Sequence, residues 1–292
     1  MKGRALVLGG GGVAGIAWMT GLLLGLSEQN VDLRQADLTI GTSAGATLGA
    51  QLGSAATLED LFHRMVKPSA EGREITPDPQ LLESFQKARS MFSLIEDRTE
   101  RIRQIGKWAL ETRTVPESER RKVVEARLPV NTWPGHALRI VAIDAESGET
   151  HVLDRNSGVD LVDAVAASCA VPGIWPPVTI NRRRYIDGGV RSAENTDLAK
   201  GYARIAILSP MGTTLPRIGG FGLNEQIEIL QQAGGQTYLI TPDAKSRRAI
   251  GLNPLSPETR RPAAKAGRGQ GRRIAGEFAE FWTGGPANDP SA

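Results

Sequence analysis

The sequence predicts an α/β fold on a mostly parallel sheet, interrupted by one charged helical insertion. Short apolar runs suited to buried strands recur at 4–8, 37–40, 138–144, 203–208 and 237–240, with helical stretches between them. The first two runs each end in a glycine-rich turn that leads into a helix. From Glu59 to Arg127 the texture changes to 14 Lys/Arg and 13 Asp/Glu with few strand signals.

Each element has a local reason. Residues 4–8 (Arg-Ala-Leu-Val-Leu) form an apolar strand closed by Gly9 to Gly12. The helix expected over 13–29 is apolar through Ile16, Ala17, Met19 and Leu22 to Leu24. A second strand at 37–40 leads into Gly41-Thr42-Ser43-Ala44-Gly45, and 44–56 is small enough in side chains to pack close to a sheet. In the charged segment, Leu81, Leu82, Phe85, Ile102, Ile105 and Trp108 recur at helical spacing. The strand at 138–144 turns through 146–149 and pairs back at 151–153. A short helix at 160–168 precedes two strands flanking a polar turn, 178–180 and 184–186, and then Asp187-Gly188-Gly189. A helix near 223–233 separates the last two strands, and a basic helix spans about 262–282. The expectation is a single domain over 1–292, with an insertion or cap at about 59–130 and a basic helical segment at about 245–283.

Composition narrows the function. The chain has 292 residues, 40% of them hydrophobic and 23% charged, which permits a packed core and argues against disorder. Aromatics at 5% are too few for a base-stacking surface, so no nucleic-acid partner is expected. One cysteine, Cys169, excludes an internal disulfide and the usual cysteine zinc sites, and three histidines leave little for a metal. No metal or organic cofactor is expected. Four apolar residues after Met-Lys-Gly-Arg do not make a secretory signal, and no run of 18 apolar residues exists, so the expected location is cytoplasmic. From Lys245 to Arg273 nine Lys/Arg face one acidic residue, Glu258, in a chain of net charge +3. That segment reads as a solvated helical face or as a peripheral contact for an anionic membrane.

Glycine is the compositional outlier, 34 of 292 residues against a usual share of about 7%. Three glycine sites follow strands. In the first, Gly10, Gly12 and Gly15 make G-x-G-x-x-G at a strand-to-helix turn. Such a turn can cradle a dinucleotide pyrophosphate or offer bare N–H groups to an oxyanion. In the second, Gly41 and Gly45 flank Ser43 in G-x-S-x-G between a strand and a helix, the setting a strained nucleophile elbow requires. The third, Asp187-Gly188-Gly189, reads alone as an ordinary turn. It gains interest because Ser43 needs a base. His63, His136 and His151 sit in undistinguished settings, whereas a partly desolvated carboxylate can take a serine proton directly.

In this order, with Ala167 to Pro177 leading into the aspartate, the three sites resemble the patatin-like phospholipases over residues 4–56 and 138–210. The resemblance implies a three-layer α/β/α fold and lipid acyl-ester hydrolysis by a Ser–Asp dyad. Ser43 would be the nucleophile and Asp187 the base. The N–H groups of Gly10, Gly11 and Gly12 would form the oxyanion hole, supported by Gly15, Gly41, Gly45, Gly188 and Gly189. Many members carry Arg or Lys just before the last glycine of the first motif. Here that position is Ala14. Two other readings stand beside this one. A lipid-binding protein could keep the fold without the chemistry. A nucleotide-binding oxidoreductase could use the first glycine loop, but it would want an acidic residue closing the second strand, where this chain has Ile40-Gly41-Thr42-Ser43.

Overall fold

The computed structural model describes residues 3–67, 74–212 and 220–284. Parts of the expected insertion (68–73) and the chain's last eight residues lie outside them. Eight strands form one sheet: β1 Arg4–Leu8, β2 Leu38–Gly41, β3 Leu138–Asp144, β4 Thr150–Leu153, β5 Val178–Ile180, β6 Arg183–Asp187, β7 Arg204–Leu208 and β8 Gln236–Ile240. The order β3-β2-β1-β7-β8 is parallel throughout, whereas β4, β5 and β6 are antiparallel additions beside β3.

Alternation along the strands divides the core between two faces, as strand geometry demands. Leu6, Leu8, Ala206 and Leu208 pack under α1 (Gly12–Ser27), α2 (Ala44–Leu52), α3 (Leu58–Val66), α9 (Ala244–Ile250) and α10 (Arg260–Thr283). On the same face, α2, α6 (Glu117–Arg127) and α7 (Leu161–Ser168) cover Leu138, Ile140 and Ala142. The opposite face carries Ala5, Val7, Ile205 and Ile207 against α8 (Leu223–Gln232). It also carries Ile143 and Ile186 against α4 (Pro79–Phe92) and α5 (Arg98–Glu111). The result is the expected three-layer α/β/α arrangement. The charged segment is helical, forming α3 to α6.

Helix α1 is buried almost all round because α10 lies directly upon it. Glycine makes that approach feasible on both helices. A Cβ at Gly21 would come within 2.0 Å of the Ala264 carbonyl, and one at Gly267 within 2.2 Å of the Trp18 carbonyl. Gly25 and Gly271, each one turn further along, meet the partner backbone the same way. Four of the 34 glycines therefore serve this helix pair, away from the three motif sites. Gln270 seals one end: it accepts from Trp18 Nε1 at 3.1 Å and Ser246 Oγ at 2.8 Å, and donates to Thr241 O at 2.7 Å.

The packing also absorbs part of the basic excess. Arg268 and Arg272 both pair with Glu28, and Arg273 pairs with Asp243. Lys245, Arg248, Arg261 and Lys265 remain exposed. The basic segment expected as helical over about 245–283 divides into α9 and α10.

Candidate active site

The sheet topology brings Ser43 and Asp187 together from positions 144 residues apart. Ile140 pairs with Leu153 on one side and with Gly41 on the other, and Ala142 pairs with His151 on one side and with Asp187 on the other. Strand β4 occupies one edge of β3, so β2 and β6 share the opposite edge. They approach from opposite directions and end nearly tip to tip. Ser43 lies two residues past the end of β2, and Asp187 closes β6.

Ser43 sits at φ 54° and ψ −112°, a positive φ that a non-glycine residue avoids. Such a conformation costs of order 1–3 kcal/mol and persists only when its surroundings enforce it. Here the Ser43 N–H donates to Ser168 Oγ at 2.9 Å, and the Cys169 thiol donates to the Ser43 carbonyl at 3.3 Å. Gly45 lets the following helix return: a Cβ there would fall 1.8 Å from the Leu8 carbonyl. Gly41 backs onto Gly45 and Ala46, and Gly15 faces Ala44 across Pro210.

Asp187 is buried, and its main-chain N–H donates to Ala170 O at 3.0 Å. Ser168, Cys169 and Ala170 thus touch Ser43 twice and Asp187 once. The sequence marks this run only as the approach to the aspartate. Burial pushes the Asp187 carboxyl up to about 7, while hydrogen bonds from the Gly189 N–H (2.7 Å) and the Ser43 hydroxyl pull it back down. Gly188 lies flat against Val141, where a Cβ would meet the carbonyl oxygen at 2.3 Å. Asn195 bridges the two turns, its Nδ2 donating to Thr42 Oγ1 at 3.1 Å and to Gly188 O at 3.2 Å. Nothing in the sequence marks Asn195 for that task.

The first glycine loop lies alongside. A Cβ on Gly10 would stand 3.6 Å from Ser43 Cβ. The structure revises the part expected of Gly10, because its N–H is committed to the Ala193 carbonyl at 2.7 Å. Among the described residues, no partner takes the N–H groups of Gly11 and Gly12. Gly12 begins α1 at φ +59°, and a Cβ there would meet Pro254 O at 2.7 Å, so a larger residue is strained there. Ala14 is fully buried in the core and donates its N–H to Pro254 O at 2.9 Å.

Ser43 opens onto a narrow cleft bordered by Gly12, Val13, Trp175 and Leu255. The free volume is about 20 Å³, room for one water-sized group. The insertion contributes Glu74, Ile75, Arg120 and Arg127 to the same walls. None of the three histidines lines it.

The family profile of the patatin-like phospholipases matches residues 6–200, which span all three glycine sites. The chain belongs to the patatin-like phospholipase family. This membership makes lipid acyl hydrolysis its activity at the level of the family. No curated protein matches the chain in sequence. Among solved structures, VipD from Legionella pneumophila is similar at TM-score 0.44 and 14% identity, over 94% of this chain and 67% of that one. The type III effector protein ExoU is similar at TM-score 0.38 and 16% identity, over 94% of this chain and 53% of that one. The patatin-like chain thus spans about half the length of ExoU. No described helix is long and apolar enough to cross a membrane.

Proposed function

We propose that this patatin-like chain hydrolyses carboxylic esters of lipids by two-step acyl transfer through Ser43 and Asp187. The observation that carries the reading is the pairing of a strained serine with a buried carboxyl held at about 7. A carboxylate with that affinity for protons is a far better base than an exposed aspartate. Asp187 takes the Ser43 proton as Oγ attacks the ester carbonyl. The free N–H groups of Gly11 and Gly12, at the positive end of α1, accept the oxyanion. The carbon–oxygen bond to the alcohol breaks, and that alcohol leaves with the proton from Asp187. Water then attacks the acyl-serine, giving its proton to Asp187, and the fatty acid departs as Ser43 recovers its hydrogen.

A cleft of this size takes no acyl chain. Glu74, Ile75, Arg120 and Arg127 on its wall, with Arg127 paired to Glu74 at 2.6 Å, support a lid role for the described part of the insertion. Leu252 is fully exposed two residues before the Pro254–Leu255 stretch that covers Gly12, and Arg248 and Arg261 on either side of it in sequence are exposed too. A bare apolar residue flanked by free cations suits peripheral contact with an anionic membrane.

The test is a panel of acyl esters incubated with wild type, Ser43→Ala and Asp187→Asn. The reading expects fatty-acid release by wild type alone. Full activity in either variant removes that residue from the dyad. A folded wild type that binds lipid yet cleaves none of the panel would leave the non-catalytic lipid-binding reading.

A further inference from the structure

Arg120, on α6, makes no ion pair or hydrogen bond among the described residues. Its residue is 6% exposed, and its buried Nε and Nη1 find no hydrogen-bond acceptor among the described residues. The guanidinium rests 3.9 Å over the Trp175 ring, which offsets part of the desolvation. Arg127, beside it, is engaged by Glu74 in two hydrogen bonds. Among the described residues Glu74 is the carboxylate that acts on both guanidiniums, and its two hydrogen bonds go to Arg127, so Arg120 has no carboxylate of its own. The Cys169 thiol cannot balance it, since burial pushes that group up and keeps it neutral. Burial, and next the like charge of Arg127, lower Arg120 to about 9, which still leaves it cationic at neutral pH.

A buried, unpaired cation is expensive to maintain. Arg120, Trp175 and Ser43 line one cleft, so an anion on a substrate for which the cleft widens would meet Arg120 in the cleft that holds the nucleophile. The loop position that could have supplied a cation, Ala14, is sealed in the core. We propose that Arg120 is a specificity residue that binds an oxyanion, phosphate or carboxylate, carried on the acyl ester whose carbonyl Ser43 attacks. The inference rests on the hydrolase reading for its kinetic test and is independent of it in its binding test.

Two substrates isolate the effect: 1-lauroylglycerol, which is neutral, and 1-lauroylglycerol 3-phosphate, which has the same ester. Wild type is expected to favour the phosphate ester in kcat/KM by at least about ten-fold, mainly through KM. Arg120→Gln should erase that preference, lowering kcat/KM for the phosphate ester at least about ten-fold more than for the neutral one. Arg120→Lys, which keeps the charge but not the fork, should restore part of it. Equal rates on both esters in wild type would overturn the proposal. So would an equal fall on both in Arg120→Gln, which is what a packing role produces. Calorimetric binding of the two lipids to Ser43→Ala, with and without Arg120→Gln, separates the two claims. Tighter binding of the phosphate lipid that Arg120→Gln abolishes supports Arg120 even where no ester is cleaved. Equal binding of both lipids removes it even where the dyad works. Lauric acid in the same titration, bound as tightly as the phosphate lipid, would assign the site to the fatty-acid carboxylate.

Discussion

Thr42 Oγ1 and the Asn195 side-chain amide lie 3.1 Å apart, and the same amide reaches the Gly188 carbonyl at 3.2 Å. One fully buried side chain therefore holds the turn that carries Ser43 to the turn that carries Asp187. The two strands stop short of each other on the edge of β3, and no sheet hydrogen bond spans the gap.

Removing that bridge is expected to misplace the dyad. Asn195→Ala should lower kcat by one to two orders of magnitude with KM nearly unchanged, and cost about 1–3 kcal/mol of stability from unpaired buried groups. Steady-state kinetics beside a urea melt would check both. An unchanged kcat would mean that the turns keep their spacing without it.

The Asp187 carboxyl sets a pH dependence of known sign. A base must be deprotonated to act, so kcat/KM should rise with pH through about 7 and level off above it. Stability runs the other way. The folded pKa lies above the ordinary aspartate value of 3.8, so the folded state holds the proton more tightly, and stability falls as pH rises from about 4 to about 7. The cost at pH 8 is at most about 4 kcal/mol. Asp187→Asn should therefore be inactive yet melt higher than wild type at pH 8, with the gap closing toward pH 4. A gap of equal size at both pH values would contradict the raised carboxyl.

The elbow stores strain that glycine would relieve. Ser43→Gly and Ser43→Ala should both be inactive, but the glycine variant should be more stable by about 1 kcal/mol, because only alanine keeps a Cβ at φ 54°. Chemical denaturation of the pair checks this, and equal stability would mean that the backbone relaxes.

Close approach of β1 and α2 makes Gly45 intolerant. Its added Cβ would meet the Leu8 carbonyl at 1.8 Å, so Gly45→Ala should lose more than about 2 kcal/mol and shift the elbow. A melting temperature at the wild-type value would show that α2 can slide away from the strand.

The parts of this molecule legible in its sequence are those with short-range signals. Apolar runs placed β1, β2, β3, β7 and β8 close to their observed limits, because a buried parallel strand needs nothing beyond a few consecutive apolar residues. Glycines marked the turns, since few other residues tolerate such crowding. Other features depended on contacts between distant segments. That Gly10 donates to Ala193 cannot be read from either residue alone. The same holds for Ser168 on the Ser43 N–H, and for Arg120, one of many cations in a charged segment, turning inward onto Trp175. The glycines of α1 and α10 had a signal, a four-residue spacing on each helix, that gains meaning only when the two are seen to touch.

The central claim is that Ser43 is a nucleophile activated by Asp187. Intact-protein mass spectrometry after exposure to a fluorophosphonate probe tests it most directly. Wild type should gain a single adduct on Ser43, faster as pH rises through about 7, and neither Ser43→Ala nor Asp187→Asn should gain it at a comparable rate. An adduct of equal yield in Ser43→Ala, or none in a folded wild type, would contradict the account.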